Sequence, residues 1–317
     1  MPAVILHPTS CAICHTEGNA NELYTATFDH LSFSAATFSA RRIPDGVHYR
    51  IVKCNTCGLV RSDPVADSKS LAELYSQSTF DYEYEVNNIR ATYGRYLARA
   101  ARYQVQKGAL LEIGCGNGFF LEEALAQGYG PIQGIETSRA AIESASPFIR
   151  KNIICDTMRP DIFGPEQFEI ICMFQVLDHI PDPATLLDEC LRILKPGGLI
   201  LSLNHNVEAL SSRILRDHSP IMDIEHTFLY SPSTIVHLFG ARGFDIMHVG
   251  SAWNRYSLYY LIRLVPWPFK LRALLVSSAD KRLFRRLSLS VPLGNLYVVG
   301  KKASINDAKS GRNEVTT

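Results

Sequence analysis

Short apolar runs alternate with segments of helical periodicity from Ala109 onward. Seven runs rich in aliphatic and aromatic residues predict strands at 109–113, 132–136, 153–156, 168–174, 198–203, 244–249 and 296–300. Between the first five of these runs, apolar residues recur at helical spacing over 119–127, 138–145 and 183–194. Strands that alternate with helices are typical of a mostly parallel sheet covered on both faces, so the pattern predicts an α/β fold.

The rest of the chain has a different pattern. Residues 1–66 have a thin apolar content and are expected to form a small module that needs a staple. Residues 67–107 are predicted to be mostly helical, as a linker or lid ahead of a main domain at 108–301. An apolar and basic insert at 251–292 precedes the last strand, and the polar tail at 302–317 is expected to be disordered.

Composition and charge exclude several classes of protein. The chain has 317 residues, of which 46% are apolar, so it fits one or two globular domains and is not a disordered protein. Its 32 Lys and Arg residues nearly balance 31 Asp and Glu residues, which argues against nucleic acid as the main partner. No apolar run reaches 18 residues, and the start lacks a signal-peptide pattern. We therefore expect a cytoplasmic protein with reduced thiols.

The cysteines are the most informative residue type in the composition. Four of the eight form two C-x-x-C pairs separated by 39 residues: Cys11 with Cys14, and Cys54 with Cys57. Four thiolates complete a closed tetrahedral site, which is typical of structural zinc, provided that a hairpin or extended strands bring the pairs together. His15 and His48 are competing ligands, and redox chemistry of a C-x-x-C pair is the alternative. Buried structural thiols are expected at the other four positions: Cys115, Cys155, Cys172 and Cys190.

A glycine-rich turn and three acids lie at the ends of successive predicted strands. The run LEIGCGNGFFL has glycines at alternate positions: Gly114, Gly116 and Gly118. Such glycines let the backbone turn sharply and approach a ligand. Glu112 would repel a phosphate beside this turn but suits a cationic group. Glu136 is placed to accept from ribose hydroxyls and Asp156 from an exocyclic amine. A P-loop motif is absent, and a dinucleotide site is the weaker alternative.

These motifs resemble those of the class I S-adenosylmethionine-dependent methyltransferases. LEIGCGNG is similar to the first motif of that family, FEIICMFQVLDHIPDP to its fourth-strand segment, and LRILKPGGLILSL to the segment entering its fifth strand. The resemblance covers 109–250 and 295–301, and it implies a Rossmann-like sheet that binds S-adenosylmethionine. Departures from the family are Glu169, where Asp is usual, and Asp178, where Glu is commoner; His179 is assigned a structural or cofactor-proximal role. The implied cofactor-binding residues are Glu112, Gly114, Cys115, Gly116, Gly118, Glu136, Thr137, Asp156, Thr157 and Gln175.

Candidate catalytic residues follow the fifth predicted strand. A neutral imidazole accepts a proton from a hydroxyl or an acidified C–H, so His226 is the candidate general base, and Glu225 either orients it or takes the proton itself. The alternative is a histidine that packs beneath the substrate pocket. Three histidines are weaker candidates: His205, His218 and His237. Three linker aromatics are expected to close over the cofactor or to pack the linker onto the sheet: Phe80, Tyr82 and Tyr84.

A cysteine-paired module ahead of such a domain resembles the zinc-binding N-terminal part of sugar C-methyltransferases that act on nucleotide-linked deoxysugars. Glu225 and His226 match their Tyr-x-Glu-His motif, whereas Asp223 stands in the place of the Tyr. Those enzymes usually carry a second large domain, but only about 67 residues follow Gly250 in this chain. The resemblance is therefore partial.

The expected function is methyl transfer from S-adenosylmethionine to a small-molecule acceptor, such as a nucleotide sugar or a polysaccharide precursor. The alternative enzyme is an O-methyltransferase acting on a quinone, lipid or secondary metabolite, with residues 256–292 approaching a membrane surface. A third hypothesis is a protein that binds zinc and S-adenosylmethionine without turnover. The oligomeric state and the acceptor stay open.

Overall fold

The computed structural model describes residues 5–28, 46–67, 70–71, 73, 85–104, 106–264 and 281–304. Its strands are β1 (Leu6–His7), β2 (Ala20–Tyr24), β3 (Ile51–Cys54), β4 (Val60–Ser62), β5 (Val65–Ala66), β6 (Leu110–Ile113), β7 (Ile132–Glu136), β8 (Ile153–Cys155), β9 (Phe168–Phe174), β10 (Leu194–His205), β11 (Phe228–Leu229), β12 (Phe244–Ser251), β13 (Asn254–Ser257), β14 (Ser288–Val291) and β15 (Asn295–Lys302).

The α-helices are α1 (Val86–Ala100), α2 (Phe119–Ala126), α3 (Arg139–Glu143), α4 (Pro147–Arg150), α5 (Pro183–Ile193), α6 (Leu210–Leu215), α7 (Pro232–Ala241), α8 (Leu258–Leu264) and α9 (Lys281–Arg286). Short 3₁₀ helices cover Ala101–Tyr103, Leu177–His179 and Arg216–His218.

A seven-stranded sheet forms the centre of the molecule, in the order β12-β15-β10-β9-β6-β7-β8. The pairs from β10 across to β8 are parallel, and β15 runs antiparallel between β10 and β12. All seven strands predicted from the apolar runs lie in this sheet, which confirms the expected α/β class. The carboxyl ends of five parallel strands therefore meet along one edge, where ligands bind in open α/β sheets.

Both faces of this sheet are buried, because successive side chains of a strand point to opposite sides. On β9, Ile171 and Met173 join one buried cluster, whereas Ile170 and Cys172 join the other. Helices α5 and α7 cover the first face, and α1 and α2 cover the second. Two-sided burial explains why these strands read as continuous apolar runs.

The single cysteines follow this layering with one exception. Cys115, Cys172 and Cys190 are buried, as predicted. The prediction of a buried thiol was wrong for Cys155, which is exposed. The reason is that β8 forms the outer edge of the sheet, where helical cover is incomplete.

A second, four-stranded sheet carries the N-terminal cysteine pairs, in the order β11-β4-β3-β2. Extended strands bring the pairs together, since β2 and β3 are antiparallel and Ala20 lies opposite Cys54. The fourth strand, β11, comes from residues 228–229 and pairs antiparallel with β4. The N-terminal module is thus completed by a strand of the main domain.

The insert folds against helix α1. Its strands β13 and β14 form an antiparallel pair, and Thr92 on α1 accepts a hydrogen bond from the Arg255 amide at 2.9 Å. Residues 265–280 of the insert, the tail from 305, and Phe80, Tyr82 and Tyr84 lie outside the described residues. In the described ranges, no helix is long and apolar enough to span a membrane.

Candidate active site and cysteine cluster

The glycine turn after β6 approaches its neighbours too closely for side chains. Gly114, Gly116 and Gly118 have φ angles of 71°, 55° and 72°, in the left-handed region that favours glycine. A Cβ on Gly114 would lie 2.4 Å from Val176 Cγ2, and one on Gly118 would lie 2.3 Å from Ile149 Cγ2. The turn therefore requires glycine at both positions and presents bare backbone to the edge of the sheet.

Glu136 at the end of β7 is hydrogen-bonded to that turn. One carboxylate oxygen accepts from the Gly116 amide at 2.8 Å, and the other accepts from the amides of Thr137 and Ser138 at 2.8 Å each. Three backbone donors hold the carboxylate in one orientation at the strand end. This is the place from which an acid can accept the hydroxyls of a bound ribose.

Glu112 is a buried acid directly before the turn. It is 3% exposed, and Oε2 has no hydrogen-bond partner among the described residues. Burial, reinforced by the charge of Glu136, raises the pKa of the Glu112 carboxyl well above its ordinary value. A buried carboxyl group without a full set of partners gains most from a cationic ligand group placed beside it.

Asp156 follows β8 and already has two donors. Its oxygens accept from Arg159 and from the Thr157 amide, at 2.8 Å each. The hydrogen bond from Arg159, together with that amide, lowers the pKa of Asp156. Because the Arg159 side chain is 59% exposed, it can move aside when a ligand amine approaches the carboxylate.

These groups open onto one cavity of about 770 Å³ at the edge of the sheet. Nine of the ten cofactor-binding residues expected from the sequence line it; Gly118 instead packs against Ile149. Gln175 has a positive φ of 57° and donates to Asn295 Oδ1 at 3.3 Å, which ties the end of β9 to the start of β15. The sequence thus located one wall of a single large pocket.

The opposite part of the cavity contains three histidines. His226 is 6% exposed, and its ring centroid lies 4.4 Å from that of His205 and 4.9 Å from that of His179. Both neighbours line the same cavity, although the sequence ranked them below His226. The signal that locates them is topological: His205 ends β10 and His179 follows β9, two adjacent parallel strands.

The hydrogen bond of His226 defines which ring nitrogen is the base. Its Nδ1 lies 2.8 Å from the carbonyl oxygen of Ile221. A carbonyl oxygen only accepts, so Nδ1 carries the hydrogen, and the neutral ring has its lone pair on Nε2. His205 is held in a similar way, with Nδ1 3.0 Å from Asn295 Oδ1. The cavity thus contains an imidazole in the tautomer that a general base needs.

Asp178 connects the two backbone segments that carry these rings. Its Oδ2 accepts from the His205 amide at 3.0 Å, and its carbonyl oxygen accepts from the Thr227 amide at 2.9 Å. Burial raises the pKa of Asp178 well above its ordinary value, and Oδ1 has no hydrogen-bond partner in the part of the chain that the structure describes. Asp178, at the position where Glu is commoner in the family, therefore holds the backbone on which His205 and His226 lie.

The remaining site candidates divide by exposure. Glu225 and Asp223 are buried and line the cavity, and the Glu225 amide donates to Asp223 Oδ1 at 3.1 Å. His218 is 77% exposed on its side chain and pairs with Asp217, and His237 is exposed on α7; neither residue lines the cavity. Of the acid–base candidates from the sequence, His226, Glu225 and His205 therefore line the cavity.

The four N-terminal cysteines converge on one point. The sulfur atoms of Cys11, Cys14, Cys54 and Cys57 all lie within 4.8 Å of one another, and His15 and His48 are not part of this group. Tetrahedral zinc with Zn–S bonds of about 2.3 Å would hold thiolates about 3.8 Å apart. Gly58, with a φ of 78°, donates to the Cys54 carbonyl at 3.0 Å and closes the second turn. The donor set and its spacing fit a structural zinc ion.

Comparison with known proteins gives a consistent family. A model described as a methyltransferase domain matches residues 86–249. A ubiquinone biosynthesis O-methyltransferase of Stutzerimonas stutzeri (strain A1501) is 28% identical over 150 residues, covering 44% of this chain and 61% of that protein. Its counterpart in Pseudomonas aeruginosa (strain LESB58) is 30% identical over 143 residues, covering 42% and 58%. The matches therefore span less than two thirds of these relatives.

Among solved structures, an S-adenosylmethionine-dependent methyltransferase from Archaeoglobus fulgidus is similar to this chain. The TM-score is 0.45 at 18% sequence identity, and the similarity covers 74% of this chain and 100% of that one.

Proposed function

The chain belongs to the class I S-adenosylmethionine-dependent methyltransferases, and we propose that it methylates a hydroxyl group of a small amphipathic acceptor with His226 as general base. The observation that carries this proposal is the buried His226 ring, which lines the cavity with its lone pair on Nε2. The glycine turn and the strand-end acids lie in the same cavity.

The cofactor subsite is formed by three carboxyl groups at three strand ends. Glu112 would pair with the ammonium group of S-adenosylmethionine, Glu136 would accept from the ribose hydroxyls, and Asp156 would accept from the adenine amine. The fit rests on the buried Oε2 of Glu112, which has no hydrogen-bond partner within the described ranges, and on the bare backbone of the turn. When bound, S-adenosylmethionine supplies an activated sulfonium methyl group. The protein then has to position the acceptor and remove its proton.

His226 performs the proton transfer. Its Nε2 would take the proton from the acceptor hydroxyl as that oxygen accepts the methyl group, whose bond to sulfur would break. The Ile221 carbonyl holds Nδ1–H and stabilises the imidazolium that results. His179 and His205 pack against the ring and limit its rotation.

The charge of the cavity favours an acceptor without phosphate groups. The described residues that line it include one cationic side chain, Arg159, which pairs with Asp156. Against it stand seven carboxyl groups, of which Glu189 is paired with Arg192 outside the lining: Glu112, Glu136, Asp156, Asp182, Glu189, Asp223 and Glu225. A diphosphate would meet carboxylates with little compensating positive charge. A neutral hydroxyl compound avoids this repulsion.

Apolar side chains favour an acceptor with a hydrophobic part. Tyr260 and Leu264 of the insert line the cavity, together with Leu293 directly after it and Leu215 of α6. The relatives named as ubiquinone biosynthesis O-methyltransferases support the same class of acceptor. This corresponds to the alternative of the sequence analysis, an O-methyltransferase on a quinone, lipid or secondary metabolite.

A membrane surface is the proposed source of that acceptor. The insert exposes Leu283, Leu287 and Leu289 to between 48% and 52%, with Arg282 and Arg286 exposed beside them. Leucine and arginine side chains on one short segment suit an anionic bilayer. We name these five residues the insert surface.

A nucleotide-linked sugar is the second candidate acceptor. The four-cysteine cluster and the Glu225–His226 pair favour it, because both resemble the sugar C-methyltransferases. In this alternative His226 accepts a proton from carbon rather than from oxygen. The cysteine cluster holds structural zinc under either acceptor.

The test compares acceptors directly. The purified protein is first titrated with S-adenosylmethionine by calorimetry and then incubated with a prenylated catechol or with a nucleotide-linked ketosugar. Mass spectrometry should show a gain of one methyl group on the catechol. Methylation of the sugar alone would favour the second candidate. Cofactor binding without turnover on either acceptor class or on metabolite extracts would favour the binding protein without catalysis.

A further inference from the structure

Ser62 connects the cysteine cluster to the segment that carries His226. It is fully buried at the end of β4, five residues after Cys57. Its hydroxyl donates to the His226 carbonyl at 2.7 Å, and its amide donates to the Thr227 carbonyl at 2.9 Å. One residue of the N-terminal module thus holds two consecutive carbonyl groups at the candidate base.

A residue close to the first cysteine pair contacts Ser62 as well. Thr9, two positions before Cys11, donates its hydroxyl to the Ser62 carbonyl at 2.8 Å. Its amide also donates to Asp63 Oδ1 at 2.8 Å. Both cysteine pairs are therefore linked through short stretches of backbone to Ser62.

Backbone hydrogen bonds between the module and the main domain enclose His226 on both sides. After it, β11 pairs with β4, with Phe228 opposite Arg61 and Leu229 opposite Val60. Before it, the Ile224 amide donates to the Val47 carbonyl at 2.9 Å. The backbone at 224–229 is thus held by the N-terminal module, whereas the His226 ring lines the cavity of the main domain.

We propose that Ser62 is a positioning residue for His226, and that metal binding at the four cysteines is needed to keep the His226 ring in its productive orientation. The module would then act on the reaction without touching the substrate. The expected effect on turnover rests on the proposed function, whereas the expected effect on the orientation of the His226 ring does not.

The physical reason lies in the direction of the contacts. His226 Nδ1 is hydrogen-bonded to the carbonyl oxygen of Ile221, five residues earlier. The ring therefore keeps its tautomer only while the backbone between the two residues keeps its conformation. Without metal, four clustered thiols lose the bonds that join their two turns, and β4 loses its anchor at Cys54 and Cys57. Ser62 then no longer fixes the carbonyl of His226.

The first experiment reads the ring directly, in full-length zinc-loaded protein with ¹⁵N-labelled histidine. The His226 signals are assigned by their loss in His226→Gln. Wild type should show the Nδ1–H tautomer, and Ser62→Ala should show a mixture of tautomers at unchanged zinc content and cofactor affinity. Ser144→Ala is the matched control, because its hydroxyl also donates to a backbone carbonyl at 2.7 Å but lies in the α3 region.

The second experiment follows turnover. Ser62→Ala should lower kcat about tenfold with little change in KM, as expected for one buried hydrogen bond that orients a base. Ser62→Thr, which keeps a hydroxyl donor, should recover most of the loss.

Chelation of the metal tests the other half of the proposal by the same NMR readout. It should shift the His226 signals in wild type and leave those of His237 in place.

The outcomes separate this inference from the proposed function. Unchanged His226 signals in Ser62→Ala and after metal removal would overturn the inference. Altered signals with unchanged turnover would support the positioning role of Ser62 and instead remove His226 from the reaction.

Discussion

The ring centroids of His205 and His226 lie 4.4 Å apart, although the two residues stand on different elements. His205 ends the central strand β10, whereas His226 belongs to the loop that leads into β11 of the N-terminal sheet. The candidate base is therefore held between both sheets of the molecule.

We expect His205→Ala to lower kcat about tenfold while cofactor affinity stays within about twofold, because His205 supports the His226 ring and does not itself take the proton. His218→Ala is the control, since that side chain is 77% exposed. Steady-state kinetics and calorimetry measure the two effects. A loss equal to that of His226→Gln would assign the proton transfer to His205 as well.

Cofactor binding is expected to release a proton. Burial and the charge of Glu136 raise the pKa of Glu112, so this carboxyl group is protonated over a wider pH range than an exposed one. An ammonium group beside it favours the carboxylate, which lowers that pKa in the complex. Affinity should therefore increase as pH rises towards the pKa of the free protein and then level off.

Calorimetry in two buffers of different ionisation enthalpy measures that proton. Glu112→Gln should abolish the release and weaken binding by about tenfold or more, because it removes a buried charge pair. Glu143→Gln on the exposed side of α3 is the control. Proton uptake, or a release that persists in Glu112→Gln, would contradict the assignment.

Freshly purified protein should contain about one zinc ion per chain, bound by the four thiolates. Cys54→Ser should lose the metal and lower the Tm, since the cluster joins the two turns of a small module. Cys155→Ser is the matched control, because that thiol is exposed and lies outside the cluster. Elemental analysis showing full zinc content in Cys54→Ser would rule out the four-cysteine site.

The protein should co-sediment with phosphatidylglycerol vesicles and less with phosphatidylcholine vesicles, since the insert surface combines leucine with arginine. Leu289→Asp should reduce this binding several-fold. Leu23→Asp places the same change on a 41% exposed leucine of β2 and should have no effect. Equal losses in the two variants would exclude a specific role for the insert.

The sequence was sufficient for the central sheet because its strands are buried on both faces. Such strands form unbroken apolar runs in the sequence. Once the ends of these runs are known, the glycine turn and the acids at the strand ends can be placed as well. The position of Glu112, Glu136 and Asp156 at one edge of the sheet was predicted for the same reason, since they lie at the ends of three adjacent strands. The ion pair of Asp156 with Arg159 was missed, since it forms within a loop without periodicity.

The contact between the two sheets could not be predicted. Phe228 and Leu229 form a strand of two residues, which is too short for any hydrophobic pattern to indicate. The role of β11 depends on partners more than 160 positions earlier in the chain. The contact of His205 with His226 was not predicted, because it depends on where β10 ends relative to His226. Cys155 was misplaced because the order of strands at the sheet edge was unknown.

The central claim is that His226 removes the acceptor proton during methyl transfer. The most direct measurement compares kcat of wild type, His226→Gln and His237→Gln with a methyl-labelled cofactor, after calorimetry has shown equal cofactor affinity. We predict a loss of about a hundredfold to ten-thousandfold for His226→Gln, the range of general-base catalysis, and none for the exposed His237→Gln. Wild-type turnover in His226→Gln would contradict the account.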